Sequence, residues 1–243
     1  ILFCDNKMIR LRIVPDFNSF KQRKIKIDIL GGFPVITLRE EPLQYELNRI
    51  IKRLFDILFS LIVIIFIMTW LIPIVGLLIK LSSKGPIFFK QTRSGLDNIE
   101  FTCLKFRSMT LNSMSDSKQA TKNDSRKTKI GSFLRRTSLD EMPQFFNVLM
   151  GDMSVVGPRP HMLKHTKDYA NIIDGYMVRQ LVLPGITGSA QVNGFRGETK
   201  SIKDMENRVK YDVWYIENWT LLLDLKLIFL TIINLIKGSD NAV

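Results

Sequence analysis

The 243-residue sequence predicts an α+β fold: a small mixed helix/strand unit on an apolar membrane helix, behind the tail of a separate domain. Three observations carry that expectation. Ile57 to Ile79 runs for 23 residues without a charge, long enough to enter a bilayer deeply. Beyond it, short extended stretches alternate with helical spacings of three and four. In front of it stand a few short strands without the partners a core would need.

The first 45 residues supply those strands. Ile9-Arg10-Leu11-Arg12-Ile13 and Ile25-Lys26-Ile27-Asp28-Ile29 alternate apolar and polar side chains, the period of half-exposed strands. Gly31-Gly32-Phe33-Pro34 breaks the pattern, and Val35-Ile36-Thr37-Leu38 offers one more. The chain opens on Ile1 rather than Met, so this part reads as the end of a domain begun upstream.

Lys52 and Arg53 precede the apolar run, and Lys80, Lys84, Lys90 and Arg93 follow it. A spanning helix carries its basic bias on the cytoplasmic side alone. Basic residues at both ends point instead to a segment that dips into one leaflet and turns back at Pro73, which lacks a helical N–H donor. On these residues alone a plain span stays open. Next come a hairpin from Ile87 to Phe106, a polar loop from Asn112 to Lys129, and a helix from about Ser138 to Gly151. Ile202, Met205, Val209, Val213 and Ile216 mark an amphipathic helix. Leu221 to Ile236 is apolar but holds Asp224 and Lys226, which suits an interfacial or packed helix.

The net charge is +12, and +8 of it falls between Lys84 and Arg136, directly after the apolar run. That position favours a membrane surface and phosphates over nucleic acid, a solvated basic loop being the plainer alternative. Cys4 and Cys103 have no metal-site or disulfide spacing and fit a reducing, cytosolic compartment.

The sharpest chemical cluster is Arg135-Arg136-Thr137-Ser138-Leu139-Asp140-Glu141-Met142-Pro143-Gln144. Ser138 and Glu141 have capping-box spacing, which by itself accounts for both. The chemical reading asks more: Asp140, in a first helical turn, is kept ionised. The neighbouring arginines offset its repulsion from a diphosphate, and free N–H groups at the helix start could hold a phosphate. A carboxylate attacking phosphorus forms an acyl phosphate. Glu141 is then the candidate ligand for a hard cation such as Mg²⁺. Gly157-Pro158-Arg159-Pro160 fixes one guanidinium between two prolines, suited to two-point phosphate recognition. Gly185 to Gly197 holds four glycines and Arg196, a loop that permits close backbone approach. His161 and His165 read as structural or solvent-facing, and Met142, Met150 and Met153 as packing.

Together these stretches resemble the bacterial sugar transferase family, the monotopic polyprenyl-phosphate phosphoglycosyl transferases. The resemblance lies in Lys52-Arg53-Leu54-Phe55-Asp56, Gly85-Pro86-Ile87-Phe88-Phe89-Lys90-Gln91 and Lys105-Phe106-Arg107-Ser108-Met109. It continues in the Leu139–Gln144 block, Val156-Gly157-Pro158-Arg159-Pro160 and Pro184-Gly185-Ile186-Thr187-Gly188. Arg196-Gly197-Glu198-Thr199 is similar to the subgroup that starts exopolysaccharides with glucose-1-phosphate.

The resemblance implies a small mixed helix/strand catalytic domain with a re-entrant membrane helix and interfacial amphipathic helices, preceded by the end of an α/β domain. Residues 1–45 would end a Rossmann-like domain, 46–83 form the membrane element broken at Pro73, and 84–243 the catalytic domain. It implies transfer of a sugar-1-phosphate from a UDP-sugar to undecaprenyl phosphate, with UMP released. Asp140 is then the nucleophile and Glu141 the Mg²⁺ ligand. Arg135, Arg159, Arg196, Lys105, Arg107 and Gln191 face the substrate. The implied setting is the cytoplasmic face of the bacterial inner membrane, with lipid as a partner, no nucleic acid, and a homo-oligomer compatible with the sequence. Leu183 and Ser189 stand where the family commonly has a basic residue and Trp, so the sugar stays open.

Overall fold

The computed structural model describes residues 26–37, 39–110, 124, 126–197 and 201–237. The expected strand at Ile9–Ile13 and the centre of the polar loop after Asn112 lie outside them. Two compact units divide at Glu40 and Glu41. In the first, β1 (Lys26–Leu30) pairs antiparallel with β2 (Phe33–Thr37). The two-residue turn between them, Gly31-Gly32, has positive φ at both positions, as a hairpin turn of this hand requires. The second strand therefore begins at Phe33, earlier than the sequence pattern suggests.

The second unit starts on one helix, α1 (Glu46–Ser82), 37 residues and about 55 Å long. Among the described residues it alone is long and apolar enough to cross a membrane. Pro73 lies inside the helix and does not end it. The ladder departs from regularity upstream, at a π turn over Ile64–Met68, where Thr69 N–H bonds back to Ile64 O. The Thr69 hydroxyl donates to the Ile65 carbonyl at 2.8 Å. Pro73 withholds one N–H and crowds the preceding turn, and the widened turn accommodates both effects. Lys52, Asp56, Ser60, Val63, Met68, Val75 and Ile79 form a buried stripe along α1. Leu54, Leu58, Ile62, Phe66, Trp70, Ile74, Leu77 and Leu81 lie exposed.

That stripe is the wall of the core. Val63 and Met68 pack with Phe101, Cys103, Phe145, Val148, Val155 and Tyr215. Val75 and Ile79 pack with Phe106 and Leu134. Both ends of α1 are also tied by hydrogen bonds. Arg53 donates to the carbonyls of Val148 and Leu149 at 2.5 and 2.8 Å, and Asp56 accepts from Val155 N–H at 3.0 Å. At the far end Arg107 donates to the carbonyls of Ser83 and Lys84 at 2.7 and 3.0 Å. Lys52 pairs with Asp224 at 2.7 Å, and both are buried.

The hairpin β3 (Phe88–Ser94) and β4 (Glu100–Phe106) follows, with Gln91 opposite Cys103. Helix α2 (Lys129–Thr137) starts on Thr128, whose hydroxyl accepts from Gly131 N–H. A Cβ at Gly131 would fall 1.7 Å from the Ser108 carbonyl oxygen, so glycine is what lets α2 dock against that backbone. Helix α3 (Gln144–Met150) is stitched to β4 by Asn147, whose side chain accepts from Leu104 N–H at 2.9 Å and donates to Thr102 O at 2.7 Å. It ends at Gly151 with φ of 97°, where the sequence places its stop.

Strands β5 (Ser154–Val156) and β6 (Gly185–Thr187) pair in parallel. A Cβ at Gly185 would lie 2.0 Å from Gly157 N, so two motifs far apart in sequence form one contact. Helices α4 (Leu163–Ala170), α5 (Ser189–Val192), α6 (Ile202–Glu217) and α7 (Leu221–Lys237) complete the unit. Helix α6 opens on a capping box formed by Ser201 and Asp204. Helix α7 shows Leu222, Leu225, Phe229, Ile232 and Ile236 to the outside and buries Asp224 and Leu227.

Candidate active site

Between α2 and α3 the chain turns sharply. Ser138 takes a left-handed conformation, φ 61°, and Leu139–Glu141 forms a single 3₁₀ turn. The expected α-helix from Ser138 and its capping box do not form. The reason is Pro143: a helix starting at Leu139 would need its N–H for the Leu139 carbonyl, and proline has none. The turn tightens instead, with Glu141 N–H on Ser138 O and Met142 N–H on Leu139 O. Those N–H groups are thereby engaged within the turn rather than free for a phosphate. The turn buries two adjacent carboxylates, Asp140 at 7% exposure and Glu141 at 6%.

The two carboxylates meet different surroundings. Glu141 Oε1 accepts from Lys105 Nζ at 2.7 Å and Arg159 Nη2 at 2.6 Å, and Oε2 accepts from Arg159 Nη1 at 3.1 Å. Arg196 Nη2 stands 3.6 Å from Oε2 and donates to the Ser138 hydroxyl at 2.5 Å. Burial alone would raise the Glu141 pKa, but Arg159 and Lys105 hold it well below the ordinary 4.5. Asp140 receives no hydrogen bond among the described residues. Burial raises its pKa above 3.8, the Glu141 charge adds to that, and Lys105 and Arg135 oppose it. Arg135 donates through Nε to Ser108 Oγ at 2.8 Å. Burial lowers its pKa while Asp140 and Glu141 pull it back up.

Four cations (Lys105, Arg135, Arg159 and Arg196) thus surround two carboxylates. The surplus of two positive charges suits an anionic ligand such as a diphosphate. The more basic of the two carboxylates is the one with no donor on it, which is what a nucleophile needs. Behind Arg159, Arg179 is engaged through each of its three nitrogens. It donates to Asp212 at 2.7 Å, to His161 Nδ1 at 2.9 Å and to the Arg159 carbonyl at 2.9 Å. Because a guanidinium can only donate, His161 Nδ1 accepts and the ring proton sits on Nε2. Burial and the Arg179 charge keep His161 neutral, its pKa well below 6.5.

Residues 47–238 match the sequence model of the family described as bacterial sugar transferase. The chain belongs to that family. It is 49% identical over 229 residues to a UDP-glucose:undecaprenyl-phosphate glucose-1-phosphate transferase of Klebsiella pneumoniae, covering 94% of this chain and 48% of that one. A protein of the same description from Escherichia coli K12 is 47% identical over 232 residues, with 94% and 48% covered. A third, from Caulobacter vibrioides, is 39% identical over 218 residues, with 89% of this chain and 81% of that one covered. The chain spans about half the length of the first two relatives.

In this member of the family, Lys105, Arg159 and Arg196 converge on Glu141, and Arg135 lies within electrostatic reach of both carboxylates. Arg107 does not join them: its guanidinium is buried against Ser83 and Lys84, where it caps the exit of α1. Gln191 is buried too, its amide donating to Ile186 O at 3.1 Å. His161 is buried at 5% exposure, and His165 stacks edge-on beside it. Met153 is wholly buried, but Met150 is 61% exposed because it closes α3 on the side away from the core. Sequence reading overlooked Asn147, Arg179 and Asp212, and took Ser138 for a helix cap rather than the partner of Arg196. A polar Asn amid Phe145, Phe146, Val148 and Leu149 was the one local signal among these.

Proposed function

We propose that this sugar transferase moves glucose-1-phosphate from UDP-glucose to undecaprenyl phosphate through a covalent phosphosugar on Asp140, starting an exopolysaccharide or capsule repeat unit. The observation that carries this is the buried, donor-free Asp140 carboxylate beside a Glu141 held by cations. Asp140 Oδ attacks the phosphorus that bears the sugar, the bond to the second phosphate breaks, and UMP leaves. An oxygen of undecaprenyl phosphate then attacks the same phosphorus and frees the Asp140 carboxylate. Arg135, Arg159, Arg196 and Lys105 offset the charge of the diphosphate throughout. The sugar and the acceptor are taken from the descriptions of the relatives, which share 39–49% identity.

The donor set suits Mg²⁺, which takes one or two carboxylates with substrate phosphates and water. Three hydrogen bonds reach Glu141, out of about four lone-pair sites. Among the described residues no group of three His, Cys, Asp or Glu side chains could hold a metal alone, so the ion would share substrate oxygens. Glu141 would be its ligand, and when bound the ion neutralises charge on the departing phosphate. Purified protein in nanodiscs, given a panel of UDP-sugars, is expected to release UMP fastest from UDP-glucose. Chelation with EDTA should abolish release and added Mg²⁺ restore it. No UMP release from any UDP-sugar would overturn this reading.

The same reading puts the protein on the cytoplasmic face of the bacterial inner membrane, with α1 re-entrant and residues 1–45 ending a Rossmann-like domain. The stripe along α1 supports the re-entrant form. Contacts to the polar domain recur from Lys52 to Ile79, the longest gap being Met68 to Val75, so no 20-residue stretch is left to lipid on all sides. The exposed faces of α1 and α7 would sit in one leaflet. Single cysteines placed near residues 46 and 84 should both label from the cytoplasmic side of sealed vesicles. A flank reached only from the opposite side would contradict it.

A further inference from the structure

Arg208, on α6, is buried at 6% exposure and donates through Nη2 to the Gly197 carbonyl at 2.8 Å. Gly197 directly follows Arg196, whose guanidinium touches Ser138 and faces Glu141. The Nε of Arg208 has no partner among the described residues. Asp212, one turn along α6, is already held by Arg179 at 2.7 Å. Burial, with the Arg179 and Arg159 charges nearby, lowers the Arg208 pKa to about 10, which leaves it a cation at neutral pH. A purely structural position would be filled better by an apolar side chain, since an uncompensated buried charge is costly.

The arrangement has a counterpart. Arg179 donates to the Arg159 carbonyl at 2.9 Å just as Arg208 donates to that of Gly197. Each of the two arginines facing Glu141 is therefore anchored at its own backbone, or at the next residue's, by a second, buried arginine. The pairs differ in charge balance: Arg179 is in direct salt-bridge contact with Asp212, whereas Asp212 acts on Arg208 only at longer range.

We infer that Arg208 is a positioning residue for the diphosphate of the nucleotide sugar, holding the Arg196–Gly197 segment over the Asp140–Glu141 turn. The choice of ligand rests on the sugar-transfer reading above; the test does not depend on turnover. It is a double-mutant cycle on the full chain in nanodiscs, read as the Kd for UDP, with Arg208→Met, Arg196→Met and the double variant. Arg208→Met should weaken UDP binding about tenfold, the scale of one charge-assisted hydrogen bond. In the Arg196→Met background the same change should weaken it by no more than about twofold, because Arg208 acts through Arg196. Arg208→Lys, which keeps a cation and a donor, should recover most of the affinity.

A merely structural role predicts a lowered melting temperature in Arg208→Met. The positioning role predicts one at or above wild type, because the change removes a buried cation with no salt-bridge carboxylate among the described residues. Wild-type UDP affinity in Arg208→Met, losses that multiply in full in the double variant, or a lowered melting temperature would each overturn the inference. If the cycle behaves as expected while no UDP-sugar yields UMP, Arg208 keeps its role and the transfer reading falls.

Discussion

Asp140→Asn is expected to lower UMP release from UDP-glucose by on the order of 10⁴-fold or more, the scale of removing a nucleophile that acts as part of a unit. The amide is nearly the same size but cannot form the acyl phosphate. No hydrogen bond to Asp140 is broken by the change among the described residues, and Glu141 keeps its contacts with Lys105 and Arg159. Stability should move the other way. The Asp140 pKa is raised in the folded protein, so its ionised form opposes folding at any pH above its unfolded value. Removing that charge should leave the variant at least as stable as wild type at neutral pH. A buried carboxylate whose charge its surroundings disfavour, held at the expense of stability, is the mark of a functional position. Wild-type turnover by the variant would sink the assignment of the nucleophile.

Asp224→Leu should carry the largest loss of stability, about 3–5 kcal/mol. Asp224 is wholly buried and accepts from three groups: Lys52 at 2.7 Å, the Tyr215 hydroxyl at 2.7 Å and Trp219 Nε1 at 3.1 Å. Its loss strands the Lys52 ammonium, itself 6% exposed, near the start of α1. The second change Lys52→Met should restore most of the loss, since breaking a buried pair is worse than replacing it. Denaturant unfolding in one detergent, for both singles and the double, checks this. A loss below about 1 kcal/mol in Asp224→Leu would show that the pair does not hold α1 to α7.

Local patterns made much of the architecture legible. The uncharged run from Ile57 to Ile79, the hairpin up to Phe106, the helix ending at Gly151 and the amphipathic face of Met205 and Val209 all depend on neighbours within a few positions. The site was legible only as a set of motifs, because Lys105, Glu141, Arg159 and Arg196 come from four separate segments. Where the pattern misled, the deciding term lay elsewhere. Ser138 and Glu141 have the spacing of a capping box, but Pro143 denies the helix its donor and the turn becomes 3₁₀. Arg107, which the family resemblance turns toward the substrate, donates in this structure to the carbonyls that α1 leaves bare at Ser83 and Lys84. Lys52 and Asp224 are 172 residues apart, and no local rule joins them.

The central claim is that a phosphosugar is held covalently on Asp140, and mass spectrometry of the protein mixed with UDP-glucose in the absence of acceptor tests it most directly. The predicted result is one hexose phosphate on the peptide that contains Asp140, absent from Asp140→Asn and discharged when undecaprenyl phosphate is added. An adduct on another residue, or UMP release that requires the acceptor and leaves no adduct, would contradict it.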